Sequence, residues 1–213
     1  MSEQLPDGGA ELSPEEIDAL DARWANAWTP SEVAGYLEGV SAPWYVAAGW
    51  ALDLFRGEKS REHGDVEIAV PAGRFAEVRD RFGGFVFDAV GSGRIWAGAT
   101  AEALAGTHQT WLREPSTGDY RLDVFREPHD GDRWICRRDE TIRLPYTGII
   151  QRTPDGIPYL APELVLLFKA KQVRRKDQAD FDGVLPLLSA AQRAALAGLL
   201  TKVHPGHAWL DAL

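Results

Sequence analysis

Two stretches of the chain open with the same polar signature. Ser13-Pro-Glu-Glu16 and Thr29-Pro-Ser-Glu32 each set a hydroxyl residue before a proline and place a glutamate three residues after the hydroxyl. The hydroxyl can accept an exposed first-turn amide, the proline lacks an N–H that would go unpaired there, and the glutamate reaches back. The pattern predicts helices over 14–28 and 30–39. An apolar strand follows at Trp44-Tyr-Val-Ala-Ala48, then Gly49 and a short amphipathic helix from Trp50 to Phe55 that ends near Gly57. Val66, Ile68 and Val70 alternate with Asp65, Glu67 and Ala69, which is the period of a half-buried strand, and Pro71 stops it. Further strands are expected at 84–90, 94–98, 109–113 and 119–126, separated by turn residues.

From Leu160 the pattern turns helical. Ala161-Pro-Glu-Leu-Val-Leu-Leu-Phe-Lys-Ala-Lys carries an apolar run too broad for a surface helix, so burial is expected. Asp177 is expected to cap the next helix, which runs to Leu188, and Ser189 with Gln192 to start the last. The fold class that emerges is α/β (α+β): a mixed β-sheet with flanking helices over 13–150 and a helical portion over 160–213. Residues 1–12, polar and acidic, read as a flexible tail. No Pro/Gly/Ser linker separates front from back, so the two are expected to share one cleft.

Composition narrows the class. The chain has 213 residues and a formal net charge of −9, with 45% hydrophobic and 26% charged residues, values that exclude a disordered chain. The acidic balance argues against a nucleic-acid partner and is compatible with a cationic small molecule. The charge-free stretch Val40–Leu52 is too short to span a bilayer, and the first residues lack the basic start and apolar run of a signal peptide. No membrane partner and a cytoplasmic location are expected. A single cysteine, Cys136, permits no internal disulfide and reads as a small buried residue. The five histidines show no zinc-binding spacing.

The chemistry lies in the carboxylates. On a strand Asp65 and Glu67 point to one face, where two carboxylates can hold a hard divalent cation by oxygen ligands. Asp123, in the alternating Arg121-Leu-Asp-Val-Phe125, can supply a third from a neighbouring strand. An Asp-x-Glu triplet by itself is common on solvated strand faces. Two features raise its weight: the glycine turn at Gly49, able to bring backbone N–H groups to a phosphate, and the lone Asp123 among apolar neighbours.

These residues resemble the nucleotidyltransferase superfamily related to DNA polymerase beta. Gly49-Trp-Ala-Leu-Asp with Arg61-Glu-His-Gly-Asp-Val-Glu-Ile is similar to the aminoglycoside and lincosamide nucleotidyltransferases, which read Gly-Gly-Trp-Ala-x-Asp, then Thr-Arg-x-His and Asp-x-Asp or Asp-x-Glu. The strong resemblance covers 44–70, and a weaker one reaches Asp123 and extends from Pro162-Glu-Leu to Lys176-Asp-x-x-Asp-Phe181. The chain departs in having Ala48-Gly49 for the glycine pair, Trp50 where many members carry serine, and Glu67 for Asp.

The resemblance implies a nucleotidyltransferase fold and transfer of a nucleoside monophosphate, AMP from ATP, onto a hydroxyl of a small, aminoglycoside-like acceptor, with pyrophosphate released. Two Mg²⁺ ions would be held by Asp65, Glu67 and Asp123, with Asp123 also the general base. Nucleotide contacts fall to Gly49, Trp50, Arg61, His63, Lys169 and Lys171. Several of these residues have plain structural readings: a helix-end position for Lys169 or Lys171, a hydrogen-bonded structural role for His63, local pairing for Asp53, and capping for Asp177 and Asp180. Trp96 and Trp111 are candidates for lining an acceptor pocket. Two other readings stay open, a non-catalytic nucleotide-binding member of the fold and a toxin that modifies protein or tRNA.

Overall fold

The structure, a computed structural model, describes residues 5–213; the first four residues of the expected tail lie outside the described residues. In chain order the elements are β1 (Ala10–Glu11), α1 (Pro14–Arg23), α2 (Pro30–Tyr36), β2 (Tyr45–Val46), α3 (Ala48–Arg56), β3 (Glu67–Pro71), α4 (Phe75–Arg79), β4 (Val86–Gly91), β5 (Arg94–Trp96), α5 (Ala101–Gly106), β6 (Gln109–Arg113) and β7 (Tyr120–Glu127). They continue as β8 (His129–Asp130), β9 (Arg133–Ile135), β10 (Arg143–Pro145), α6 (Tyr146–Ile149), β11 (Ile150–Arg152), β12 (Pro158–Leu160), α7 (Pro162–Lys169), α8 (Arg175–Val184) and α9 (Ala190–Val203). The chain divides into two compact units, Met1–Trp44 with His63–His129, and Tyr45–Glu62 with Asp130–Leu213.

In the first unit β1, β5, β4, β6, β7 and β3 lie side by side in that order. β3 and β7 pair in parallel, with Glu67 opposite Asp123 and Ile68 opposite Val124. The antiparallel partners set Leu112 against Leu122 and Trp111 against Asp123 on β6 and β7, and Asp88 against Trp111 on β4 and β6. Alternation then sorts the two faces. Ile68, Val124, Leu122 and Leu112 are wholly buried, while the residues between them form a row across four strands: Glu67, Asp123, Trp111, Asp88. A slip of one residue would exchange the two sets, so the apolar face locks the register of the polar one.

Both N-terminal capping boxes form: Ser13 and Thr29 accept from Glu16 and Glu32 amides, and each glutamate accepts the cap amide in return. Both helices stop short of expectation. α1 ends at Arg23 because the chain after it pairs elsewhere, Trp28 N–H to the Arg121 carbonyl and the Arg121 guanidinium to the Asn26 carbonyl. Within the segment expected as a tail, β1 pairs with β5.

The second unit holds β2 parallel to β12, β11 antiparallel to β12, and the β9–β10 hairpin, with α3 and α7–α9. The buried helix expected from Leu160 is α7, whose Leu164, Val165, Leu166 and Leu167 are all core. Phe181 stacks on Trp209 with centroids 4.2 Å apart. Cys136 is buried and in no disulfide, as its small-apolar reading required. At the β2–α3 turn the residue with positive φ is Ala48 (φ 48°), while Gly49 lies inside the helix. An L-residue there pays roughly 1–2 kcal/mol of steric cost, and Gly57 (φ 76°) ends α3 at none. α8 corrects the expected cap: Arg174 occupies the N-cap and Asp177 the third helical position, where its carboxylate accepts the Arg174 backbone N–H at 3.1 Å.

Candidate active site

The register of β3 and β7 carries the two acidic segments to one place. One carboxylate oxygen from each of Asp65, Glu67 and Asp123 lies within 4.8 Å of the others. Asp65 and Glu67 are half-buried; Asp123 is 2% exposed. At an effective dielectric near 20, unit charges at such a distance repel by about 3–4 kcal/mol per pair. The arrangement is therefore poor as a bare trianion. Burial, then the charge of Glu67, pushes the Asp123 carboxyl well above its ordinary range, against the Gln109 amide, which donates to Oδ2 at 2.5 Å, with Asp65 adding repulsion and the Trp111 indole opposing it. Asp123 Oδ1 is buried and accepts no hydrogen bond from the described residues.

An oxygen-only donor set with one buried, unsatisfied carboxylate oxygen suits a hard divalent cation, which would supply the missing charge and partner. Zinc would call for nitrogen or sulfur ligands, and neither is in the cluster. A cation bound at Asp123 would compete with a proton. Over the window between the ordinary carboxylate range and the raised position, an ion binding there would have to displace that proton. Apparent Mg²⁺ affinity should therefore rise with pH through that window, with up to about one proton released per binding event. Calorimetry in two buffers of different ionisation enthalpy measures that release; none at any pH would mean that Asp123 takes no part in binding.

The row continues past Asp123. Trp111 is half-buried and packs edge-on against Trp24 (5.6 Å) and Tyr120 (5.0 Å). Asp88, 1% exposed, is held by the Arg113 guanidinium at 2.6 and 3.2 Å and by the Gly98 amide at 2.8 Å. Trp96, expected as a candidate pocket wall, packs in a small core with Ala89 and Ala103. It is buried beneath the N-terminal segment, with Gly9 against its ring and its N–H on the Asp7 carbonyl. Gln109 went unread in the sequence. Its only signal is its place in Gln109-Thr-Trp-Leu-Arg113, on the same strand face as Trp111.

Of the expected nucleotide contacts, His63 belongs to the first unit, half-buried two residues before Asp65. Gly49, Trp50, Arg61, Lys169 and Lys171 belong to the second. Gly49 is buried in the first turn of α3, and Lys59 Nζ sits 5.6 Å from the Trp50 ring. Lys171 is exposed. Arg61 and Lys169 are tied into one ion network. Lys169 Nζ lies 2.9 Å from Asp177 and 2.8 Å from Asp180, Arg61 meets Asp180 at 3.2 and 3.3 Å, and Arg174 closes on Asp177 at 2.7 Å. Burial alone would raise both aspartates; the hydrogen bonds from Arg174 and Lys169 hold Asp177 far below the usual range, and those from Arg61 and Lys169 lower Asp180. Asp53 is buried on α3 and accepts from Ser60.

Among the described residues no helix is long and apolar enough to cross a membrane. Residues 31–96 match the sequence family described as aminoglycoside-2''-adenylyltransferase. No curated relative matches the chain. Solved structures with the same fold include the lincosamide antibiotic adenylyltransferase LnuA bound to lincomycin, at 16% identity and TM-score 0.51, covering 84% of this chain and 100% of that one. Another is the antibiotic-resistance factor ANT(2'')-Ia in solution, at 15% identity and TM-score 0.52, covering 85% of this chain and 92% of that one. ANT(2'')-Ia in complex with adenylyl-2''-tobramycin gives 12% identity and TM-score 0.53, covering 81% and 95%. Over residues 31–96 the chain resembles the aminoglycoside-2''-adenylyltransferase family, and over most of its length it shares the fold of the lincosamide and aminoglycoside adenylyltransferases.

Proposed function

We propose that the chain is an antibiotic-modifying adenylyltransferase, which moves AMP from ATP onto a hydroxyl of an aminoglycoside-like or lincosamide-like acceptor and releases pyrophosphate. The observation that carries this reading is the convergence of Asp65, Glu67 and Asp123 within 4.8 Å. The matched family segment and the lincomycin and adenylyl-tobramycin named for the structural neighbours support the acceptor class. Retention of all three carboxylates favours an enzyme over a non-catalytic member of the fold.

In this reading residues 13–150 carry the catalytic region, and Asp65, Glu67 and Asp123 would hold the Mg²⁺ ions. Bound magnesium would neutralise the triphosphate and the charge growing on pyrophosphate. Asp123 takes the proton of the acceptor hydroxyl, whose oxygen bonds to the α-phosphorus in line as the bond to the β-phosphate oxygen breaks. Positioning and electrostatics supply most of the acceleration. We assign nucleotide contact to Gly49, Trp50, His63 and Lys171, and to Arg61 and Lys169 from within their ion network. The net charge of −9 favours a cationic acceptor in the encounter.

Pyrophosphate release from ATP and Mg²⁺ across aminoglycosides, lincosamides and tRNA tests the assignment. Release with one antibiotic class, abolished by chelator, is expected. Release with tRNA alone, or with no hydroxyl acceptor at all, would replace it.

A further inference from the structure

Asp123 has two carboxylate oxygens in unlike surroundings. Oδ2 accepts the Gln109 amide at 2.5 Å, whereas Oδ1 is buried and accepts no hydrogen bond from the described residues. Gln109 begins β6 opposite Phe125, so its side chain reaches diagonally across the β6–β7 pair to the residue two positions earlier. Both ends of that reach are fixed. The strand ladder holds the Asp123 backbone, its N–H donating to the Val66 carbonyl at 2.9 Å. The buried Arg126 guanidinium bonds the Leu104 carbonyl and donates to the Thr107 hydroxyl at 2.7 Å, ahead of β6, and its backbone N–H donates to the His108 carbonyl at 2.6 Å.

Resting on the function proposed above, we infer that Gln109 is the positioning residue of that reaction: its amide holds one oxygen of Asp123, fixing the carboxylate plane and leaving the other for the cation or the acceptor hydroxyl. A carboxylate on a short side chain keeps one broad, soft torsion at its end. Without a donor on Oδ2, repulsion from Glu67 and Asp65 turns the group away from them. A geometric error of this kind acts on the chemical step, where reacting atoms must lie in line within a narrow distance. It leaves most ground-state nucleotide binding untouched. The amide orientation follows from chemistry, because an ionised carboxylate accepts only and must face the NH₂ end.

Gln109→Met keeps the length and removes the donor; Gln109→Glu keeps the shape and adds a fourth negative charge. With ATP and an acceptor that supports turnover by the wild type, Gln109→Met should lower kcat about ten- to a hundredfold and leave the ATP KM within threefold. Gln109→Glu should lower kcat further. Without nucleotide or acceptor, Mn²⁺ binding followed by electron paramagnetic resonance should weaken three- to tenfold in Gln109→Met while its Tm stays within about 2 °C of wild type. Wild-type kcat and Mn²⁺ affinity in Gln109→Met, beside an inactive Asp123→Asn, would overturn the positioning role and leave the proposed reaction standing. So would a kcat loss that follows a large fall in Tm, which marks a packing residue. An active Asp123→Asn would remove the reaction scheme itself.

Discussion

Replacing Asp123 by Asn should reduce turnover at least a hundredfold, change ATP affinity by less than tenfold, and raise the melting temperature of the metal-free protein. The three results share one cause. General-base assistance is typically worth 10²–10⁴-fold, roughly 3–5 kcal/mol of barrier, and an amide cannot take the proton. Asp65 and Glu67 remain to hold the triphosphate-bound ion, so binding changes little. Stability moves the other way, because burial and the Glu67 charge raise the Asp123 carboxyl in the fold. A carboxyl raised on folding contributes its full stability below about pH 3.8 and loses it as pH rises through the folded value. At neutral pH the wild type therefore holds a costly buried anion or its proton, and Asn removes the cost while accepting the same Gln109 amide. The rise should be a few degrees, since about 1 kcal/mol moves Tm by roughly 2–4 °C at this size. Melting curves with chelator from pH 4 to 8 should fall with pH for wild type and stay flatter for the variant. An active variant would place the base elsewhere. Unfolding would make Asp123 a structural carboxylate.

Lys169→Met should be strongly destabilising, because it takes from two buried acids the one cation they share. Lys169 is 8% exposed and bonds both Asp177, at 1%, and Asp180, at 6%. Removing one partner of a buried ion pair typically costs about 3–5 kcal/mol, which here means a fall of roughly 6–20 °C in Tm. The pH dependence carries the sign. Both aspartates are lowered in the fold, so their stabilisation is present above about pH 3.8 and fades as pH falls through the folded values. In the variant the carboxylates, each left with one arginine, titrate higher and protonate first, so the gap to wild type should be widest near neutrality and narrow towards pH 4. Adding Asp180→Asn should recover part of the loss. A Tm within 2 °C of wild type would show that Arg61 and Arg174 suffice to hold both carboxylates. Any loss of nucleotide binding has to be read at a temperature where the variant is folded.

What the sequence by itself determined were the features whose causes lie within a few residues. The caps at Ser13, Thr29 and Ser189 formed as read because donor and acceptor sit three positions apart. Strands β3 and β7 followed from alternation, β4 and β6 from segments set off by turn residues, and α7 from an apolar run too broad for solvent. The Asp-x-Glu and the lone Asp123 were legible as chemistry, although β3 begins only at Glu67 and Asp65 lies just ahead of it. Elements of two or three residues between 127 and 160 were invisible, because a strand that short offers no period to detect. The tertiary structure decided which distant residues meet. Setting Glu67 opposite Asp123 required β3 and β7 to pair in parallel in one register, a choice enforced by Ile68, Val124 and Leu122 on the other face of the sheet. The antiparallel pairing of β6 with β7 brought Gln109 to Asp123, although nothing local to Gln109 distinguishes it from a solvated strand residue. Lys169 read as a candidate triphosphate contact or a helix-end lysine; that it pairs with Asp177 and Asp180 was decided by the packing of α8 against α7. Trp96 read as a pocket wall until the chain ahead of α1 folded over it. In each case the residue types were written locally, but the partner that sets charge, exposure and role arrives only when segments far apart in the chain bury a common apolar face.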